Sequence, residues 1–121
     1  MDFQANYPIY LQIAEDIKRR IVIGELKPGD KLPSNADLAL VYQVNPNTVQ
    51  RIYRQLESEG ISYTKRGIGT FLTEDSDMPE RLRQEIGASL SSRFLQQMMT
   101  YHFSRDEIIQ LLEQQKEEKS C

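Results

Sequence analysis

The chain has 121 residues, 39% of them apolar, and a net charge of −3. That length supports one small domain with an appendage rather than two full domains. The acidic balance withholds the basic surplus that a nucleic-acid binder usually carries. A lone cysteine, Cys121, excludes a disulfide within the chain and suits a reducing cytoplasm, and neither a membrane span nor a secretory signal is expected.

The net charge hides a division. Residues 1–72 hold nine Lys or Arg against eight Asp or Glu, whereas residues 73–121 hold six against ten. The front is near neutral and the acid lies behind, so local charge can still meet a phosphate backbone.

Residues 1–7 read as a short arm. Pro8 suits the first turn of a helix, and Ile9, Ile13, Ile17 and Ile21 recur every four residues beside Tyr10 and Ala14, until Gly24 stops the pattern. Lys18, Arg19 and Arg20 on this helix are phosphate contacts or a solvated face, and the second is the commoner outcome. Glu25 to Pro33 holds a Pro28-Gly29 turn, with Leu26 and Leu32 able to plug a core.

The stretch from Leu32 to Gly60 predicts two helices joined by a tight turn. Ser34 caps the first, with Leu38, Ala39 and Val41 as its buried face, and Tyr42-Gln43-Val44 makes the turn. Asn45 caps the second and Pro46 takes its first position. Val49, Ile52, Tyr53 and Leu56 form its buried stripe, and Gly60 ends it. The opposite face offers Asn47, Thr48, Gln50 and Arg51, with Arg54 a turn later. Asn and Gln pair with adenine edges, Arg with guanine, and Thr with phosphate or the thymine methyl, which is how a recognition helix reads the major groove. Ile61 to Leu72 then predicts two short strands turning at Gly67 and Gly69, with Lys65 and Arg66 at the tip. A basic hairpin behind a recognition helix is a wing, which places cations on phosphates or in a minor groove.

The runs PIYLQIAEDIKRRIVIGELKPGDKLPS, DLA, VNPNTVQRIYRQLESEG and YTKRGIGTF, in that order, resemble the DNA-binding domain of GntR-family transcription regulators from Tyr7 to about Leu72. The wording NPNTVQRIY and YTKRGIGTF, with a short helical tail, is similar to the YtrA-type subfamily. The resemblance implies a homodimeric bacterial repressor on a palindromic operator, often controlling transporter operons and its own gene. It carries DNA contact to Asn47, Thr48, Arg51, Arg66 and Gly67; Ser34, Asn45, Gln50, Arg54 and Lys65 complete the expected set. Ala36 stands where the family often has Arg, which removes one anchor.

After Leu72 the run TEDSDMP is a linker, and Asp77 with Glu80 gives a capping pair around Pro79. Leu82, Ile86, Leu90 and Phe94 recur every four residues, continued by Leu95, Met98, Met99 and Tyr101. Ser104 and Glu107 form a capping box ahead of Ile108, Ile109, Leu111 and Leu112, before EQQKEEKSC frays. The expected fold is mostly α with a small β-hairpin: a winged helix-turn-helix domain over 1–74 and a two-helix tail over 75–121. The tail has more apolar face than two helices can share, so a further cover is expected: the DNA-binding core of the same chain or, as the favoured reading, the tail of a second copy, through Leu82, Ile86, Leu90, Phe94, Met98, Tyr101, Ile108 and Leu112. Met98, Met99, Tyr101 and Phe103 are read as plain core ahead of a small-molecule pocket.

The function expected is a dimeric, sequence-specific transcription regulator, with a winged-helix protein-interaction module as the alternative. Expected partners are operator DNA, a second copy and a small-molecule effector of unknown identity. No cofactor or metal is expected, since His102 is the only histidine and lies beside no Cys or acidic cluster. No nucleophile sits beside a base and no Gly-rich loop joins a strand to a helix, so an enzyme is not expected.

Overall fold

A computed structural model describes Phe3 and residues 6–115. The elements run α1 (Ile9–Val22), α2 (Asn35–Tyr42), α3 (Pro46–Ser58), β1 (Ser62–Lys65), β2 (Gly69–Leu72), α4 (Met78–Thr100) and α5 (Arg105–Gln114). Two compact units divide the chain at Arg83 and Gln84. The first extends past the expected boundary at 74/75 because Met78 and Leu82, in the opening turns of α4, are buried. The N-terminal arm and the EQQKEEKSC end, Cys121 included, lie in large part outside the described residues.

The core of the first unit is built on α3. Val49, Ile52 and Leu56 are fully buried, and Tyr53 nearly so, each contributing roughly 1.5–3 kcal/mol of burial. Ile13, Ala14, Ile17 and Ile21 of α1 and Leu38, Ala39 and Tyr42 of α2 join them. Ile9, expected on the same stripe, is exposed and lines a groove with Tyr10, Thr48 and Arg51. Val41 is exposed as well. The buried stripe of this eight-residue helix is centred between Leu38, Ala39 and Tyr42, and Val41 falls about 100° round from that centre. Tyr42 is therefore the last helical residue, not part of the turn, and the chain reverses on Gln43, whose φ is 56°.

Helix ends follow the sequence chemistry. The Asp37 N–H donates to Ser34 Oγ at 3.1 Å and the Asn47 N–H to Asn45 Oδ1 at 2.8 Å, with Pro46 opening α3. At the start of α4, Asp75 accepts from the Asp77 N–H and from the Arg81 guanidinium at 2.9 Å each. Glu80 pairs with Arg83.

The antiparallel register pairs Ser62 with Leu72, Tyr63 with Phe71, Thr64 with Thr70 and Lys65 with Gly69. The loop before α2 adds to the free edge of β2: Lys31 bridges Phe71, and the Leu32 N–H donates to the Thr70 carbonyl at 2.8 Å. Gly69 is set by its backbone, and the end of the Lys31 side chain would have to shift for any Cβ there. Its φ of +145° suits glycine, and a Cβ there would lie 2.9 Å from Lys31 Cε. Gly69→Ala should lower stability by about 1–3 kcal/mol. Adding Lys31→Ala should relieve only the clash, since the backbone strain stays; thermal melts of both variants check this.

Polar ties fix the helices to one another. The Tyr42 hydroxyl donates to Asp16 Oδ2 at 2.7 Å, joining α2 to α1, and the Tyr53 hydroxyl donates to the Pro33 carbonyl at 2.6 Å. Burial pushes the Tyr42 hydroxyl up to about 12, aided by Asp16, and burial likewise raises Tyr53. Burial also pushes the Asp16 carboxyl up, but Tyr42, Arg19 and Arg20 together outweigh it and hold it below its ordinary value. The two ends of the pH scale follow. Tyr42 is raised when folded, so its stabilisation is complete below about pH 10 and is lost as pH climbs toward 12. Asp16 is lowered, so its contribution is present above its ordinary value of 3.8 and is lost as pH falls through its lower folded value. Tyr42→Phe should cost about 1–2 kcal/mol near neutral pH and flatten part of the alkaline decline, as read by circular-dichroism melts across pH.

In the second unit the Ser104–Glu107 capping box forms as expected: the Glu107 N–H donates to Ser104 Oγ and the Ser104 N–H to Glu107 Oε1. Ile108 is 3% exposed, whereas Leu90, Phe94, Met99, Tyr101, Ile109, Leu111 and Leu112 are exposed. The expected plain core of Met98, Met99, Tyr101 and Phe103 is therefore only half made: Met98 and Phe103 are half-buried and the other two face solvent.

Candidate nucleic-acid interface

The side of α3 away from the core carries the expected polar residues. Asn47, Gln50, Arg51 and Arg54 are exposed and Thr48 is half-buried. They follow from the same 3.6-residue repeat that buries Val49, Ile52, Tyr53 and Leu56, so the stripe that packs the helix also aims the rest outward. Ser34 and Asn45, placed in the expected contact set, spend their side chains capping α2 and α3. They remain exposed, beside the surfaces that those helices present.

The wing stands next to α3. Lys65, Arg66 and Gly67 are exposed at its tip, and Gly67 turns the chain with φ +78°. Tyr63 and Phe71 stack at 5.9 Å across the hairpin, and Lys65 Nζ lies 5.0 Å from the Phe71 ring centroid. Thr64 Oγ1 donates to Glu57 Oε1 at 3.2 Å, which steadies the hairpin against α3. A groove between the two elements is lined by Asn35, Gln50, Arg54, Glu57, Thr64 and Thr70. A second, between the wing and the start of α2, is lined by residues including Lys31, Ser34, Asn35 and Ile68.

Charge separates the two candidate basic clusters. On α1 the cations are neutralised: Lys18 pairs with Glu59 at 2.6 Å, Arg19 with Asp16 at 3.1 Å and Arg20 with Glu25 at 3.0 Å. Arg19 is exposed, and Lys18 and Arg20 are half-buried. On α3 and the wing, Arg51, Arg54, Lys65 and Arg66 have no carboxylate partner among the described residues. Four cations outside any ion pair of the described residues, on a helix of groove-reading side chains and the hairpin beside it, make a surface for a polyanion.

Sequence reasoning missed three parts of this surface. Tyr10 of α1 lies under Arg51, with the guanidinium carbon 4.1 Å from the ring centroid. Asn35 and Thr64 line the groove beside Gln50 and Arg54. Lys31 enters through its bridge to β2. Each depends on a contact between distant segments, which helical or strand periodicity does not encode.

Of the residues expected to cover a second copy, Leu82 and Ile108 are 4% and 3% exposed within the single chain. Leu90, Phe94, Tyr101 and Leu112 are exposed, and Ile86 and Met98 are half-buried.

Three helices, a tight turn into the third and a basic hairpin behind it define a winged helix-turn-helix DNA-binding transcription regulator. The sequence model described as "Bacterial regulatory proteins, gntR family" matches residues 9–72, and the chain belongs to that family. It is similar to the uncharacterised HTH-type transcriptional regulator YhcF of Bacillus subtilis (strain 168), at 42% identity over 108 residues covering 89% of each chain. The HTH-type transcriptional repressor YtrA of the same organism is 46% identical over 76 residues, 63% of this chain and 58% of YtrA. Among solved structures, a GntR family transcriptional regulator from Listeria monocytogenes superposes with a TM-score of 0.86 at 38% identity, over 94% of this chain and 100% of its own. The DNA-binding domain of AraR, solved in complex with operator ORX1, matches with a TM-score of 0.56 at 30% identity, over 60% of this chain and 93% of that one. These relatives are regulators and not enzymes. Among the described residues no helix is long and apolar enough to cross a membrane, and no group of three or more His, Cys, Asp or Glu could hold a metal ion.

Proposed function

We propose that the chain is a cytoplasmic, homodimeric repressor that reads a two-fold symmetric operator with α3 and braces it with the wing. The observation that carries the DNA contact is the set of four cations on α3 and the wing that lack carboxylate partners among the described residues. In this reading Asn47, Thr48, Gln50, Arg51 and Arg54 meet base edges and phosphates of the major groove. Lys65, Arg66 and Gly67 follow the neighbouring backbone or minor groove. Ser34 and Asn45 hold the helix ends against the phosphates.

Dimerisation is assigned to residues 84–115, where Leu90, Phe94 and Leu112 are exposed apolar side chains on a unit too small to cover them. A two-fold pairing through this face would set two recognition helices at a half-site spacing. Control by a small-molecule effector would act by changing that spacing.

The test is selection from a pool of random duplexes by the full chain, followed by sequencing. The reading predicts enrichment of an inverted repeat whose half-sites lie about one helical turn, or a multiple of it, apart. A pool that stays random after repeated rounds would contradict it.

A further inference from the structure

Arg51, on α3, rests on an aromatic ring of a different helix. Its guanidinium carbon lies 4.1 Å from the ring centroid of Tyr10, the second residue of α1. The pair forms the divide between two shallow grooves on this flank of α3. One is lined by Pro8, Ile9, Tyr10, Thr48 and Arg51, the other by Tyr10, Arg51, Arg54, Gln55 and Ser58. With no carboxylate partner among the described residues, the ring is what fixes this side chain. A ring holds a guanidinium through charge and quadrupole and takes up none of its N–H donors. Arg51 is thereby held in place with its hydrogen-bonding fork unspent, and part of the ordering that binding demands is already done.

We propose that Tyr10 is a positioning residue of the DNA interface: it holds Arg51 ready for acceptors on the duplex, without touching the duplex itself. This inference rests on the reading of α3 as the recognition helix. It places α1, whose own Lys18, Arg19 and Arg20 are paired off, in the interface through an aromatic ring.

The test uses the full chain and a duplex that the wild type enriches from a random pool, with affinities from fluorescence anisotropy at two salt concentrations. Tyr10→Phe should bind within twofold of wild type. Tyr10→Leu should bind about threefold more weakly, the size of an exposed cation–π contact, with the salt slope unchanged because the same charges still reach the DNA. Arg51→Ala should lose about tenfold or more. Adding Tyr10→Leu to Arg51→Ala should cost nothing further, since there is then no guanidinium to hold. A shared effect on folding would instead appear in both backgrounds. Equal weakening by Tyr10→Leu with and without Arg51 would overturn the proposal, and so would Tyr10→Phe as weak as Tyr10→Leu. If no duplex is enriched, the DNA reading falls and this inference with it; enrichment followed by wild-type affinity of Tyr10→Leu overturns this inference alone.

Discussion

Arg51→Glu combined with Arg66→Glu should abolish specific DNA binding while leaving the fold intact. The two residues lie on different parts of the surface, the recognition helix and the wing tip, and both are exposed. Removing one charged contact costs about 1–3 kcal/mol of affinity, and a carboxylate in its place adds repulsion from the phosphates. Together the pair should lose at least about 2–6 kcal/mol per half-site, roughly 30-fold to over 10⁴-fold in affinity, and the salt slope of whatever binding remains should fall by about two per half-site. Neither residue is in the core, so stability should move by no more than about 0.5 kcal/mol apart from the loss of the Tyr10 stack. Anisotropy titrations beside thermal melts separate the two effects. Unchanged affinity with an unchanged melt would place the DNA contact elsewhere.

Ending the chain at Arg83 should give a folded monomer that binds its operator about 10²–10⁴-fold more weakly than the full chain. The cut follows the structure: Met78 and Leu82 are 2% and 4% exposed and belong to the first unit, so a cut at residue 75 would open its core. What the shorter chain loses is the unit that bears Leu90, Phe94 and Leu112. If that unit pairs two chains, the second half-site contact is intramolecular, and its loss removes the gain from high effective concentration without changing any protein–DNA contact. Sedimentation velocity and anisotropy on both chains check this. A truncated chain that remains dimeric, or binds as tightly as the full one, would remove the tail from the mechanism.

What the sequence reveals here depends on the range of the interaction. The α3 stripe of Val49, Ile52, Tyr53 and Leu56, the caps at Ser34, Asn45 and Ser104, and the hairpin around Gly67 are local, and each is legible from spacing and residue type. Val41 misleads because α2 has only eight residues, too few for periodicity to choose between two adjacent apolar faces. Tyr42 looks like turn chemistry but closes the helix, because its ring is buried and its hydroxyl meets Asp16 of α1. Leu82 and Ile108 are in the expected dimer face, yet each is buried in the single chain. A pattern of apolar residues says that a face is covered and leaves open what covers it. The same limit hides Tyr10 beneath Arg51: the two stand 41 positions apart, and nothing local to either signals the other.

The most direct measurement is an anisotropy titration of the full chain against its selected duplex and a scrambled one, each at low and high salt. The account predicts saturation at two chains per selected duplex, affinity that falls steeply with salt, and far weaker binding to the scrambled sequence. Equal weak binding to both duplexes would contradict it, and would turn attention to a winged helix that uses the same surface to grip protein.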